Sequence, residues 1–105
     1  MRDYKIYVDD ALEMIKRIEK SGNKNLKTQD KWDATLMRLQ VIGESVKKIP
    51  KEIKKNYPIK WEKFENLRNF ISHSYTRVFP KIVVDIIVNE IPELKKELVK
   101  MKNEK

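Results

Sequence analysis

A chain of 105 residues has room for one compact core and one site, so we expect a single domain over residues 1–105. Hydrophobic residues make up 40% of the chain, charged residues 38%, and there are only 2 glycines, a balance typical of an all-helical globular chain and unlike a disordered one. The formal net charge of +8 suits an anionic partner, and the absence of cysteine excludes disulfides and thiolate chemistry.

The first half of the chain predicts two amphipathic helices. Apolar residues at helical spacing place the first helix from about Asp3 to Lys20. Thr28 or Asp30 can cap the second helix, and Pro50 closes it. Gly43 lies in its middle and lowers the helix propensity, so we expect another helix to approach closely at that point. The predicted core positions of the two helices are Tyr4, Val8, Ala11, Ile15 and Ile18, then Trp32, Leu36, Leu39, Ile42, Val46 and Ile49.

The second half predicts a short turn and two further helices. The stretch PKEIKKNYP, bounded by Pro50 and Pro58, predicts a short basic helical turn. A third helix follows it, and a fourth begins near Pro80, a residue that suits a first helical turn. Pro92 should kink the fourth helix. The predicted core positions are Trp61, Phe64, Leu67 and Ile71, then Val83, Ile87, Ile91, Leu94, Leu98 and Met101.

The fourth helix carries more apolar surface than one helix contact needs. Ile82, Val84, Ile86 and Val88 all lie outside its predicted core stripe. A helix that is apolar on more than one side either lies at the centre of its own bundle or packs against another molecule. In a chain of this size we favour the second interpretation. We therefore predict an all-α, up-and-down bundle of four to five helices that forms a homodimer.

The positive charge is clustered along the chain. From Lys47 to Lys63 there are seven lysines and two glutamates, and the final segment KKELVKMKNEK holds five lysines and two glutamates. Such clusters suit a polyanion, whose phosphates release counterions when it binds. Abundant Lys and Glu also coat the solvated helices of many thermophile proteins, so charge alone leaves the two interpretations level.

Several kinds of site can be excluded from residue types. With one histidine, no cysteine and no glycine-rich phosphate loop, one copy cannot assemble a zinc site or a P-loop, and we expect neither metal nor cofactor. Asp9 and Asp10 are adjacent, about 100° apart around a helix, which is poor geometry for two metal ions. Glu44, beside Gly43, can orient a site residue or form a salt bridge. No run is apolar enough for a signal peptide or a membrane span, which predicts a cytoplasmic protein without membrane contact.

The stretch LRNFISHSY holds the remaining candidates, Arg68, Asn69, His73 and Tyr75. Asn69 and His73 are four residues apart and share a helical face, whereas Arg68 and His73 are separated by about 140° on an unbroken helix. Arg68 and His73 can therefore converge only if the helix distorts after Ile71 or if a second subunit completes the site. Tyr75, just past the expected helix end, brings a hydroxyl near the same cleft.

These side chains fit metal-free cleavage of RNA. An imidazole with a pKa of about 6.5 can take the proton from a 2′-hydroxyl or deliver one to the leaving 5′-oxygen. A guanidinium stays charged and binds phosphate oxygens as negative charge develops. A lone histidine near a helix end is more often a cap or a surface residue. The motif alone therefore leaves a catalyst, a binding module and a purely structural bundle open.

The spacing Arg68-Asn69-x-x-x-His73-x-Tyr75 is the R-x4-H-x-Y pattern of the HEPN superfamily. The chain resembles the HepT branch of that superfamily, ribonuclease toxins that are paired with a minimal nucleotidyltransferase antitoxin. The resemblance covers nearly the whole chain. The similar segments, in the same order and spacing, are MRDYKIYVDDALEMIKRIE, TLMRLQVIGESVKKIP, YPIKWEKFENLRNFISHSY and IVNEIPELKKEL.

The resemblance implies a helical bundle that dimerises with both R-x4-H motifs facing one cleft, and a metal-independent endoribonuclease toxin of a type VII toxin–antitoxin pair. Arg68 and His73 map onto the catalytic pair of the family, and Asn69 maps onto the polar residue beside the arginine. Tyr75 maps onto the tyrosine that the antitoxin modifies with AMP from ATP, which blocks the RNA site. The expected partners are RNA, the antitoxin and a second copy, with no DNA. The alternative is a HEPN dimer that binds RNA, nucleotide or the nucleotidyltransferase without cleaving.

Overall fold

Eight helical segments follow one another in the computed structural model, which describes residues 3–22, 26–74 and 79–104. In chain order they are α1 (Lys5–Ser21), α2 (Gln29–Lys48), α3 (Lys51–Lys54), α4 (Trp61–Glu65), α5 (Leu67–Ser74), α6 (Pro80–Asp85), a π-helical turn (Ile86–Glu90) and α7 (Ile91–Asn103). The described residues contain no strand, so the predicted all-α bundle is confirmed. The helix α2 packs against α1 and against α4 and α5, and α7 packs against α1. Over these ranges, no helix has the length and apolar character needed to cross a membrane.

Local sequence signals set the ends of the first two helices. Gly22 follows α1 with φ of +55°, a left-handed conformation that favours glycine and ends the helix. Thr28, rather than Asp30, caps α2, because its hydroxyl oxygen accepts a hydrogen bond from the Lys31 backbone N–H at 3.1 Å. Pro50 follows the end of α2, as predicted, and precedes the short basic helix α3.

The predicted apolar stripes form the core. Each of the four predicted helices buries most of its assigned positions, and Tyr4 and Trp32 are half-buried against them. This agreement follows from the 3.6-residue period, which brings residues three and four apart to one face. The buried apolar side chains among the described residues are Val8, Ala11, Ile15, Ile18, Leu36, Leu39, Ile42, Val46, Ile49, Tyr57, Trp61, Phe64, Leu67, Ile71, Val83, Ile86, Ile91, Leu94, Leu98 and Met101.

The fourth predicted helix runs from Pro80 to Asn103 with a π-helical turn inside it. Pro92 lacks a backbone N–H and its ring crowds the preceding turn, so a regular α-helix cannot pass through it unchanged. Just before it, the Ile91 backbone N–H bonds to the carbonyl oxygen of Ile86, five residues back. The extra residue shifts the core position, so Ile86 is buried while Ile87 is only half-buried, the reverse of the prediction. The irregularity expected at Pro92 is therefore this π-helical turn.

A buried lysine joins α2, α3 and α4. Lys54 is only 4% exposed, and its ammonium group donates a hydrogen bond to the Val46 carbonyl oxygen at 3.0 Å and pairs with the Glu65 carboxylate. The Trp61 indole N–H donates to the Lys54 carbonyl oxygen at 3.0 Å. A buried ammonium group needs such partners. Lys54 therefore stabilises the packing of α2, α3 and α4. The prediction that it is one of the lysines available to bind a polyanion is wrong.

Candidate functional site

Gly43 allows α5 to lie directly against α2. A Cβ atom at this position would stand 2.9 Å from the Phe64 carbonyl oxygen, 3.1 Å from the Arg68 backbone nitrogen and 3.2 Å from the Leu67 Cβ atom. Atoms in a closely packed interior do not approach to such distances without displacing the neighbour. The predicted close approach at Gly43 is confirmed. It places the first turn of α5 beside the next residue of α2, Glu44.

The third predicted helix is divided at Asn66, which has φ of −86° and ψ of −4° and separates α4 from α5. No distortion follows Ile71, because α5 continues as an α-helix beyond it. Along this unbroken helix, Arg68 and His73 are about 140° apart, whereas Asn69 and His73 share a face. The helix distortion after Ile71, one of the two predicted routes by which Arg68 and His73 could converge, is therefore absent up to Ser74.

The described side chains of the motif are accessible to solvent. Arg68 and Asn69 are both exposed on α5. The backbone of His73 lies in α5, but its side chain, like the whole of Tyr75, lies outside the described part of the chain. The assigned roles of His73 and Tyr75 therefore stay predictions.

Arg68 forms an ion pair with Glu44 across the contact between α2 and α5. The Arg68 Nε atom lies 2.7 Å from the Glu44 Oε2 atom, and the two side chains are 53% and 49% exposed. The sequence singled out Glu44 only because it follows Gly43. In the structure its partner is the arginine of the R-x4-H motif.

A second polar contact lies one helical turn further along the same groove. The Ser72 hydroxyl donates a hydrogen bond to the Gln40 side-chain oxygen at 3.1 Å. Because Gln40 precedes Glu44 by one turn and Ser72 follows Arg68 by one turn, α2 and α5 run antiparallel here. The sequence analysis did not predict the contact between Gln40 and Ser72, because neither residue type nor spacing distinguishes these two residues from other polar residues of the chain.

The fourth helix exposes much of the predicted apolar surface. Ile82, Val84 and Val88 are exposed on it, and Phe79 just before it is exposed as well. The prediction also placed Ile86 on this surface, but Ile86 is buried because the π-helical turn adds one residue and shifts the core position. A cavity of about 360 Å³ lies between this helix and the end of α1, lined by Ile18, Glu19, Gly22, Leu26, Val84, Ile87 and Val88.

Ion pairs divide the basic cluster into two groups. Lys54 is buried, and the Lys63 ammonium lies 3.5 Å from the Glu93 carboxylate. The Lys48 ammonium lies 5.6 Å from the centre of the Tyr7 ring. The exposed lysines of this cluster that form neither an ion pair nor a ring contact with another described residue are Lys47, Lys51, Lys55 and Lys60. This smaller set, near the end of α2, around α3 and before α4, is the part of the cluster that can meet an anion.

The acidic pair near the start of the chain forms a surface contact. The Asp9 carboxylate lies 3.3 Å from the Lys102 ammonium on α7, and Asp10 is exposed. Among the described side chains of residues 3–22, 26–74 and 79–104, no three carboxylates are grouped so that they could hold a metal ion.

Comparisons with known proteins point to one family. Residues 8–101 match the family model described as Ribonuclease HepT-like. The chain is 32% identical over 111 residues to a "Gamma-glutamylcyclotransferase and putative RNase" of Methanocaldococcus jannaschii, covering 98% of this chain but only 49%, about half, of that relative. It is 37% identical over 99 residues to a "Putative RNase" of the same organism, covering 90% of this chain and 78% of the relative. It is 29% identical over 110 residues to a "Probable ribonuclease HepT" of Thermococcus cleftensis, covering 96% and 97%. No solved structure matches the chain.

Proposed function

Because the chain belongs to the HepT-like ribonuclease family, which supports a ribonuclease function, we propose that it cleaves RNA internally, without a metal ion, at a cleft between two copies. We propose further that it is the toxin of a type VII toxin–antitoxin pair. The observation that carries the proposal is the placement of Arg68. It is exposed on α5 beside the α2–α5 groove, on the helix that also carries His73.

The geometry of α5 supports a site built from two copies. Positions 68 and 73 lie about 140° apart around the unbroken helix α5. One copy therefore cannot direct both side chains to the same point, and in our proposal the partner copy supplies the second of the two groups. The exposed apolar residues of the fourth helix, which include Ile82, Val84 and Val88, offer a surface for such a contact. A two-fold dimer brings two arginines and two histidines to one groove.

In the proposed mechanism the two histidines exchange protons with the RNA. His73 of one copy takes the proton from a 2′-hydroxyl, whose oxygen attacks the adjacent phosphorus. His73 of the partner subunit gives a proton to the departing 5′-oxygen. Arg68 binds the non-bridging oxygens while charge develops on them, and Asn69 donates a hydrogen bond beside it. The products are a 2′,3′-cyclic phosphate and a 5′-hydroxyl.

The unpaired lysines support RNA as the substrate. Lys47, Lys51, Lys55 and Lys60 are exposed on the segment of the chain that connects α2 to α5, and their ammonium groups can bind phosphates of an RNA chain. The same surface suits the alternative, a HEPN dimer that binds RNA, nucleotide or a nucleotidyltransferase without cleaving. The two functions differ in whether the RNA stays intact.

Incubating the purified chain with end-labelled single-stranded RNA in EDTA tests the proposal. We expect shorter fragments that end in a 2′,3′-cyclic phosphate. RNA that is bound with a steep salt dependence but stays intact for hours would favour the binding dimer. A chain that retains no RNA even at low salt would favour a purely structural bundle.

We also propose that the cognate antitoxin regulates the chain at Tyr75. Attack of the Tyr75 hydroxyl oxygen on the α-phosphorus of ATP would transfer AMP to the tyrosine and release pyrophosphate and the hydroxyl proton. The attached phosphate carries a negative charge, which we propose competes with the RNA phosphate for the site. We expect antitoxin and ATP to add AMP mass to the tryptic peptide that contains Tyr75 and to stop cleavage. The Tyr75→Phe variant is the control and should stay unmodified. An unchanged wild-type peptide would contradict this regulation.

A further inference from the structure

We propose that Glu44 is a positioning residue, which holds the Arg68 guanidinium so that its outer edge faces the RNA phosphate. This inference rests on the proposed function for its substrate. It is carried by the 2.7 Å contact between Arg68 Nε and Glu44 Oε2. Glu44 itself is not a catalytic residue, because it acts on the substrate only through Arg68.

The planar shape of the guanidinium explains how a carboxylate bound at Nε can orient Arg68. The group is planar, and the edge formed by its two Nη atoms points away from Nε. A carboxylate held at Nε therefore orients the plane and directs the Nη edge outward. That edge matches two phosphate oxygens, the pairing that arginine makes with phosphates in general.

The anchoring of Glu44 supports the same role. At Gly43 the helices lie so close that an added Cβ atom would stand 3.1 Å from the Arg68 backbone nitrogen. Both residues of the Glu44–Arg68 ion pair therefore lie at or next to a tightly packed contact between the backbones of α2 and α5. A long, half-exposed arginine loses little further freedom on binding phosphate when its orientation is already set.

If the Glu44–Arg68 pair were only a surface salt bridge, removing the Glu44 carboxylate would affect RNA binding and cleavage in the opposite direction. A carboxylate next to a phosphate-binding arginine repels the polyanion and neutralises part of the arginine charge. Removing that carboxylate should then tighten RNA binding and leave kcat the same or higher. If Glu44 positions Arg68, removing its charge lowers kcat instead.

The chain offers a matched control pair on α1. Arg17 Nε lies 3.1 Å from Glu13 Oε2, and the two side chains are 53% and 50% exposed, close to the values at Arg68 and Glu44. We expect Glu44→Gln to lower kcat for RNA cleavage about tenfold with little rise in KM. Glu44→Asp should recover part of that loss, and Glu13→Gln should change neither constant. A Glu44→Gln chain with wild-type or higher kcat would overturn the positioning role.

A binding comparison separates failure of this inference from failure of the proposed function. The probe is an RNA oligonucleotide methylated at its 2′-oxygens, which cannot be cleaved, and the measured quantity is the affinity lost on Arg68→Ala. That loss should be smaller in a Glu44→Gln background than in wild type. A larger loss of RNA affinity in the Glu44→Gln background than in wild type would mean that Glu44 only neutralises the charge of Arg68.

If wild type cleaves no RNA, the proposed function is wrong, but the same comparison of affinities still decides the role of Glu44. A wild-type chain that also binds no RNA would overturn both.

Discussion

Replacing Arg68 with alanine should slow RNA cleavage by about 10²-fold or more, because in the proposed mechanism this guanidinium stabilises the charge that develops on the phosphate. The loss should fall mainly on kcat, since the proposed interaction is strongest in the transition state. The folded state should be little affected. Arg68 is half exposed, and an exposed ion pair such as Arg68–Glu44 contributes about 0.2–1 kcal/mol at most.

The matched control for this prediction is Arg17→Ala. Arg17 has the same side-chain exposure and the same kind of glutamate partner, but it lies on α1. Single-turnover cleavage rates and thermal unfolding curves should be measured for both variants. We expect both to unfold close to the wild-type temperature and only Arg68→Ala to lose cleavage. Equal cleavage by wild type and Arg68→Ala would remove Arg68 from the site.

Replacing Gly43 with valine should destabilise the fold by about 3 kcal/mol or more. Even a Cβ atom there would stand 2.9 Å from the Phe64 carbonyl oxygen, a backbone atom that cannot move without displacing α4. Helix propensity alone predicts the opposite sign, since glycine inside a helix is less favourable than other residues by up to about 1 kcal/mol. The sign of the change therefore tests the close contact between α2 and α5.

Ala34→Val is the control for this substitution, because it adds the same branched side chain at a half-buried position of α2. Denaturant unfolding should show a much smaller change for Ala34→Val than for Gly43→Val. If the Gly43→Val chain unfolds at the wild-type denaturant concentration, the helices do not approach as described. Cleavage by any Gly43→Val chain that still folds should also fall, since the Arg68 backbone nitrogen is a neighbour of Gly43.

Features that depend on local spacing were predictable from the sequence. The stripe from Val8 to Ile18 follows from helical periodicity, and so does the one from Leu36 to Ile49. The cap at Thr28 was one of two candidates, and the contact at Gly43 followed from a glycine placed where a helix does not favour one. Each of these features is decided by residues within a few positions of one another.

Features that depend on tertiary contacts were not predictable in the same way. Ile86 is buried in place of the predicted Ile87 because a π-helical turn adds one residue to the helix. A prediction based on a regular 3.6-residue period does not include such an extra residue. Lys54 was grouped with surface lysines, because its burial depends on Glu65 and the end of α2. The partner of Glu44 was equally hidden, since it lies on another helix.

The candidate site was predictable only in part, for a geometric reason. The sequence identified Arg68 and His73 by type and spacing, and helical geometry showed that one regular helix turns them apart. The structure adds that α5 is regular between them and that the break lies earlier, at Asn66. Whether a second copy completes the site, as we propose, depends on surface contacts that helical periodicity does not predict.

The proposed function requires that His73 acts in RNA cleavage and that no metal ion is needed. The rate at which wild type and His73→Ala cleave the same single-stranded RNA in EDTA tests this claim. We predict unchanged cleavage by wild type on addition of EDTA and a loss of about 10²-fold or more in His73→Ala. Cleavage that persists in His73→Ala, or that disappears from wild type in EDTA, would contradict the claim.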